Sequence, residues 1–354
     1  MKSNLKFFKN SQTLPVDEFF KNVLYDKKIG YYNSKQPFGR SGDYITAPNI
    51  SRLFSEMIAI WVISTWESIG KPKNLNLIEL GPGDGSLTKV LIDVFERFPE
   101  FNNTMNIYLY EISNVLKKKQ KNNINNNKVK WISNFKEIKK GPVIFFANEF
   151  FDAIPIKQFK RKNNSLVEKY YILEKNLKIK EKFVKASKAD IKIIGSFKTL
   201  KNLRFIEFPK SGLKILENII KIISKSEGFF LMIDYGYIKP NNQNTLQSVI
   251  NHKKNDVLDN LGKADITSHV NFSLLKEFFE KNHLKVKKTI TQKEFLENMG
   301  IIHRAQIIAK KMKFSDQSNL YLRLKRLLSS KSMGNLFKVI LAYNNKDKKI
   351  FGFN

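Results

Sequence analysis

The sequence predicts a doubly wound, Rossmann-like α/β fold, and three observations predict it. Short apolar runs of strand length alternate with helical periodicities from residue 74 to residue 147. The stretch Leu77–Ser86, which reads Leu-Ile-Glu-Leu-Gly-Pro-Gly-Asp-Gly-Ser, joins one such run to a helix through three alternating glycines. Two further apolar runs, Phe229–Ile233 and Phe337–Tyr343, return after long inserted segments. Parallel strands separated by helices bind ligands at their C-terminal ends.

Taken in order, Leu14–Tyr25 carries Val16, Phe19, Phe20, Val23 and Leu24 on one helical face, with Pro15 suited to the first turn. A glycine-rich aromatic segment follows, from Ile29 to Pro48, and reads as a structured loop or a lid. Ile50–Trp66 is a long apolar helix. The alternation then runs as strand 75–80, helix 86–98, strand 106–111, helix 113–121, strand 128–133 and strand 142–147. Lys157–Arg161, Val167–Leu173 and Leu203–Phe208 have the alternating pattern of antiparallel strands inserted in this frame. A helix with Leu213, Leu216, Ile219, Ile220 and Ile223 leads to the fifth strand, and a polar connection spans 238–264. Helix 273–282, strand 284–290, two or three helices over 293–330 and the last strand complete the chain.

The 354 residues suffice for a large core, and the pattern divides them into an N-terminal helical and lid segment, 1–73, and an α/β domain, 74–354, with insertions at 156–208 and 293–330. With no Cys, disulfides, thiolate nucleophiles and zinc-thiolate sites are excluded. The four His show no metal-binding spacing, so no metal is expected. No run of 18 uncharged apolar residues appears, which predicts no membrane span, and the N-terminus lacks a secretory apolar region. The net charge of +31 comes from Lys scattered through every segment, so it does not decide between an anionic partner and a solvated surface.

The loop itself narrows the cofactor. A dinucleotide fingerprint spaces its glycines G-x-G-x-x-G. Here Glu79, Gly81, Gly83 and Gly85 alternate, and the next strand ends in Glu111. That pattern resembles motif I and the following acidic motif of class I S-adenosylmethionine methyltransferases. The glycines let the ligand approach the backbone, and an ionised Glu111 suits bidentate bonding to two ribose hydroxyls.

Further along the chain the resemblance becomes specific. It is carried by Gly30-Tyr31-Tyr32, by Pro37–Gly39 with Gly42–Pro48, by Glu79–Gly83, by Ala147–Ala153 and by Asp234–Tyr237. Ala264-Asp265 with Thr267 and His269, Thr291-Gln292 with Phe295-Leu296, and Met333-Gly334 with Leu336–Lys338 extend it. In that order they resemble the MidA-like S-adenosylmethionine-dependent methyltransferases over residues 14 to 343. The resemblance implies a class I fold with a seven-stranded, mostly parallel sheet and methylation of a protein arginine on the 49-kDa-type subunit of respiratory complex I. It also implies a role in complex assembly, in the cytoplasm for bacterial members and in the mitochondrial matrix for eukaryotic ones. Asp84 stands where many relatives carry Arg, and Ser133 where relatives often have Asp.

Glu149 and Asp152, just past strand four, present two carboxylates to a cationic acceptor, although Asn148 and Asp152 would equally cap a helix. Asn148 is assigned to the cofactor side, as is Asp43 in the glycine-rich segment. His269, with Asp265, is expected on the acceptor side. A nucleic-acid methyltransferase is the competing enzyme, but Asn148-Glu149-Phe150-Phe151 replaces its Asn-Pro-Pro-Tyr-type motif and adds a negative charge. A non-catalytic assembly factor that retains the fold is the third reading.

Overall fold

The computed structural model describes residues 4–9, 11–34, 46–163, 165–344 and 350–353. The chain forms two compact units, each discontinuous in sequence. One comprises residues 45–150, 218–236 and 279–354, and the other residues 1–44, 151–217 and 237–278.

The first unit is built on a sheet whose strands we number β1 Leu75–Leu80, β2 Met105–Tyr110, β3 Val129–Ile132, β4 Val143–Asn148, β5 Gly228–Tyr237, β6 Lys285–Val286 and β7 Phe337–Tyr343. Their spatial order is β6-β7-β5-β4-β1-β2-β3. The five central and early strands are parallel, and β7 enters antiparallel to β5 with Phe229 opposite Tyr343. This is the Rossmann-like class I methyltransferase fold, with a seven-strand path as expected. Every residue of β1 is buried, as a central parallel strand covered on both faces requires.

Helices α1 (Arg52–Ser68), α2 (Ser86–Phe95) and α3 (Asn114–Ile124) pack with this sheet unit. Twelve residues of α1 are buried, including Trp61 and Trp66, so it is a core helix rather than an amphipathic surface one. The long helix expected from Ile50 is interrupted at Ser51, whose hydroxyl accepts the Leu53 N–H and starts α1 afresh. The helix expected over 86–98 stops at Phe95, because Pro99 pushes Phe98 out of helical geometry (φ −123°, ψ 77°) and opens a separate turn at Pro99–Asn102. The strand expected over 284–290 is two short pieces, β6 and Ile290–Thr291. Val286 faces Ala342 and Ile290 faces Val339, so four steps on one strand meet three on the other, which is a bulge. Three helices then follow: α4 (Gln292–Asn298), closed by a Thr291/Glu294 capping box, α5 (Ile301–Ala309) and α6 (Phe314–Leu328).

The second unit holds an antiparallel sheet in the order Thr13–Pro15, Ser165–Leu173, Lys157–Lys162, Phe205–Phe208, with Ile179–Lys185 pairing Ser165–Leu173. Helix Val16–Tyr25 buries Phe19 and Phe20, which meet the Tyr171 ring at 5.0 and 5.9 Å. The region read as a polar connection contains two strands, Gln247–Ile250 and Lys253–Asn255. They turn through Asn251 and His252, both at positive φ (49° and 61°), as a tight two-residue hairpin demands.

Candidate functional site

The site in the sheet unit begins at the C-terminal end of β1. Gly81, Gly83 and Gly85 sit at φ of 60°, 56° and 83°, a region closed to most side chains. A Cβ on Gly81 would lie 2.6 Å from the Phe150 ring, so that position also lacks the room. The Gly85 N–H donates to Pro82 O at 2.8 Å and the Ser86 N–H to Asp84 Oδ1 at 3.0 Å, which closes the loop onto the start of α2. Asp84 also takes a bond from Asn49 Nδ2 at 3.5 Å, and its carbonyl accepts Asn123 Nδ2 at 2.8 Å. Asp84 therefore serves as a local clasp.

Glu79 is buried, and its carboxyl accepts the Thr88 hydroxyl of α2. Burial pushes its pKa up to about 7, against the hydroxyl bond that lowers it, with the nearby Asp84 charge adding to the rise. A raised carboxyl pKa means stability that is full below about pH 4.5 and is lost as pH climbs through about 7. Glu79→Gln removes that loss. Denaturant unfolding should show the variant more stable than the parent by up to about 3 kcal/mol at pH 8 and by only a small part of that at pH 5. A gap that is the same at both pH values would contradict the assignment.

Glu111 follows β2 directly and is buried, with burial raising its pKa and the Ser113 N–H and Gln120 amide drawing it back. Its two oxygens accept those donors at 2.8 and 3.1 Å. Gln120, on α3, also donates to Gly83 O at 2.8 Å and accepts the Trp131 indole N–H at 2.9 Å. One fully satisfied amide thus joins the glycine loop, the acidic residue and β3. Sequence reading missed it, although the signal was present: Leu116, Gln120 and Ile124 form the buried stripe of an otherwise Lys-rich helix, and Gln is its one polar member. Gln120→Leu should weaken S-adenosylmethionine binding by about tenfold or more in calorimetry, because it removes a hydrogen bond to a charged group and frees the loop carbonyl. Unchanged affinity would remove Gln120 from the site. Ile112, next to Glu111, is exposed despite being a large apolar residue. Ser133 donates its N–H to Glu137 Oε1 at 3.2 Å and leads into a capped turn whose Phe135 lies 4.8 Å from the Tyr110 ring.

Beyond β4, Asn148 and Glu149 come together. The Asn148 Nδ2 donates to Glu149 Oε1 at 3.1 Å, while Asn148 Oδ1 is buried with no hydrogen-bond partner among the described residues. Glu149 is a non-glycine residue at φ 51°, fixed there by its N–H bond to Ile233 O of β5 and by the Ala47 N–H, which reaches Oε1 at 3.2 Å. Such strain persists only where surrounding structure imposes it, and it concentrates at functional positions. The alternative reading, in which Asn148 and Asp152 cap a helix, finds no helix to cap: residues 149–154 form no regular element.

Asp152 and His269 belong to the other unit. Asp152 is buried and its carbonyl accepts the Ser268 N–H at 2.9 Å. The His269 N–H donates to Thr245 Oγ1 at 3.0 Å, and the residue lines a small cavity with Phe151, Glu207, Tyr237 and Asn271. Burial raises the pKa of both Glu207 and Tyr237. Asp265 accepts the Tyr32 hydroxyl at 3.1 Å, which ties two stretches of the sequence pattern 233 residues apart. Asp43 lies outside the described residues, as do Pro37–Gly39.

The residues fit a nucleoside sulfonium. A loop of three positive-φ glycines, a buried carboxylate beyond it and the Asn148 Oδ1, buried with no partner among the described residues, offer close backbone approach, hydroxyl acceptors and an acceptor for an amino group. Fold and site together define a class I methyltransferase. The chain belongs to the family described as "Putative S-adenosyl-L-methionine-dependent methyltransferase", whose model matches residues 57–290. It is a methyltransferase that uses S-adenosylmethionine. Among curated relatives it is similar to the mitochondrial protein arginine methyltransferase NDUFAF7 of Danio rerio, at 28% identity over 94% of this chain and 83% of that one. The human counterpart is 29% identical over 93% of this chain and 80% of its own length. In structure it is similar to a "likely methyl transferase" from Burkholderia thailandensis bound to S-adenosyl-homocysteine, with a TM-score of 0.82, 21% identity and coverage of 99% and 93% of the two chains.

Proposed function

We propose that this chain methylates an arginine side chain of a protein, that the protein is the 49-kDa-type subunit of respiratory complex I, and that the modification aids assembly. The observation that carries the acceptor chemistry is Glu149: a carboxylate held at a strained backbone position beside Asn148 at the end of β4. S-adenosylmethionine supplies an electrophilic methyl group that leaves its sulfur by in-line displacement. A guanidinium, with a pKa near ~13.8, is a poor nucleophile until a carboxylate orients it and accepts a proton. Glu149 does both in this reading, Asp152 adds a second negative charge and His269 lies on the acceptor side. Gly81, Gly83, Gly85, Glu79, Glu111, Asp43 and Asn148 hold the methyl donor. That the similar mitochondrial proteins of Danio rerio and human are protein arginine methyltransferases supports arginine as acceptor.

The test is incubation of the purified chain with labelled S-adenosylmethionine and the purified subunit, followed by peptide mass spectrometry. A methylated arginine on the subunit is expected. Label confined to RNA would favour the nucleic-acid reading, and cofactor binding with no transfer to the subunit would favour the assembly factor that retains the fold.

A further inference from the structure

The surface of the sheet unit is uneven, and α6 with the turn before it is where apolar side chains are left in solvent. Six of the thirteen exposed large hydrophobic residues among the described residues fall between residues 302 and 336. Phe314 is 82% exposed, Leu322 63% and Tyr321 42%. Leu324 and Leu327 are buried and Leu320 and Leu328 pack beside them on the core; at 100° per residue Leu322 lies opposite that stripe, while Phe314 and Tyr321 lie on its exposed flank next to Leu328.

The exposed arc of the helix and the turn before it are strongly basic. Lys310, Lys311, Lys313, Arg323, Lys325 and Arg326 are exposed, and none makes an ion pair among the described residues. Asp316 is the only acidic residue between 301 and 336. Here the cations alternate with apolar side chains on one face, and the stretch lies past the residues that the family model matches.

We infer that the exposed face of α6, with the basic turn Lys310–Lys313, docks on the surface of an anionic phospholipid bilayer. Three features choose this occupant. Long Lys and Arg stems beside apolar side chains hold charge at the level of lipid phosphates while the apolar tips enter the acyl boundary. A protein partner would meet a centre depleted of Lys with charge at the rim, whereas here cations sit between the apolar residues. A site built for single-stranded nucleic acid would put rings at its outermost apolar position, whereas Leu322, opposite the core, is aliphatic; Phe314 and Tyr321 are rings, and the RNA arm of the test separates the two occupants. Docking of this kind needs no spanning segment, and no described helix is long and apolar enough to cross a membrane.

The test is flotation of the full chain with vesicles of phosphatidylcholine containing one part in three phosphatidylglycerol, against vesicles of phosphatidylcholine alone. Binding to the anionic vesicles only is expected. A Phe314→Ser/Leu322→Ser double variant should lose about tenfold in partition, and each of Arg323→Gln, Lys325→Gln and Arg326→Gln roughly fivefold, with thermal melts unchanged. Equal binding to both vesicles, no binding to either, or partition indifferent to the apolar double variant would each overturn the proposal. So would displacement of the chain from vesicles by an equal mass of single-stranded RNA, which would make the face a nucleic-acid site.

Discussion

Glu149→Gln is expected to lower the rate of methyl transfer to the subunit by about 10²–10⁴-fold, the usual range for a positioned base, while S-adenosylmethionine still binds. The change is narrow by design. A glutamine keeps Oε1, so it still accepts the Ala47 N–H, and it keeps the volume and the Asn148 contact. What it loses is the negative charge and the ability to take a proton. Glu149→Gly separates the two roles of the position. The backbone at φ 51° costs a non-glycine residue about 1–3 kcal/mol, so the glycine variant should unfold no more easily than the parent and yet be inactive. Strain held for function gives that opposite movement of stability and activity. Turnover retained in Glu149→Gln would take the carboxylate out of the reaction.

What could be read before the structure was known follows from which physical demand leaves a trace in residue type. The glycine loop was legible because three positive φ values in five residues permit little else, and Glu111 because an acid directly after an apolar strand is conspicuous. Strands β1, β4 and β7 were legible because both faces of each are largely buried and most of their residues are apolar. The hairpin at 247–255 was hidden, since its residues are polar and its turn uses Asn251 and His252 rather than a glycine. Gln120 was hidden for a different reason. A lone amide on a buried stripe signals that it has partners but not which ones, and its partners come from three separate elements. The make-up of the two units was equally out of reach, because each gathers three stretches of chain that share no compositional mark.

Lys157→Met should be strongly destabilising, by about 3–5 kcal/mol. Lys157 is only 12% exposed and reaches three carboxylates, Glu168 at 2.5 Å, Asp190 at 3.6 Å and Asp17 at 3.9 Å. They come from helix Val16–Tyr25, strand Ser165–Leu173 and helix Lys188–Gly195, so one ammonium joins three elements. Asp190 has a second cation, Lys210 at 2.6 Å, and its pKa is held down despite burial. Asp17 and Glu168 have no such reserve: burial already raises both, and the Lys157 charge is what opposes it. Methionine fills the same space without charge, and the two acids then sit buried and unopposed. Their pKa values rise further, so the variant loses most stability above those values and recovers part of it as pH falls and they take up protons. Urea unfolding should therefore show a deficit that is large at pH 8 and smaller at pH 5. A deficit independent of pH would mean that the lost packing of the lysine stem, and not the stranded charge, is what the unit cannot tolerate.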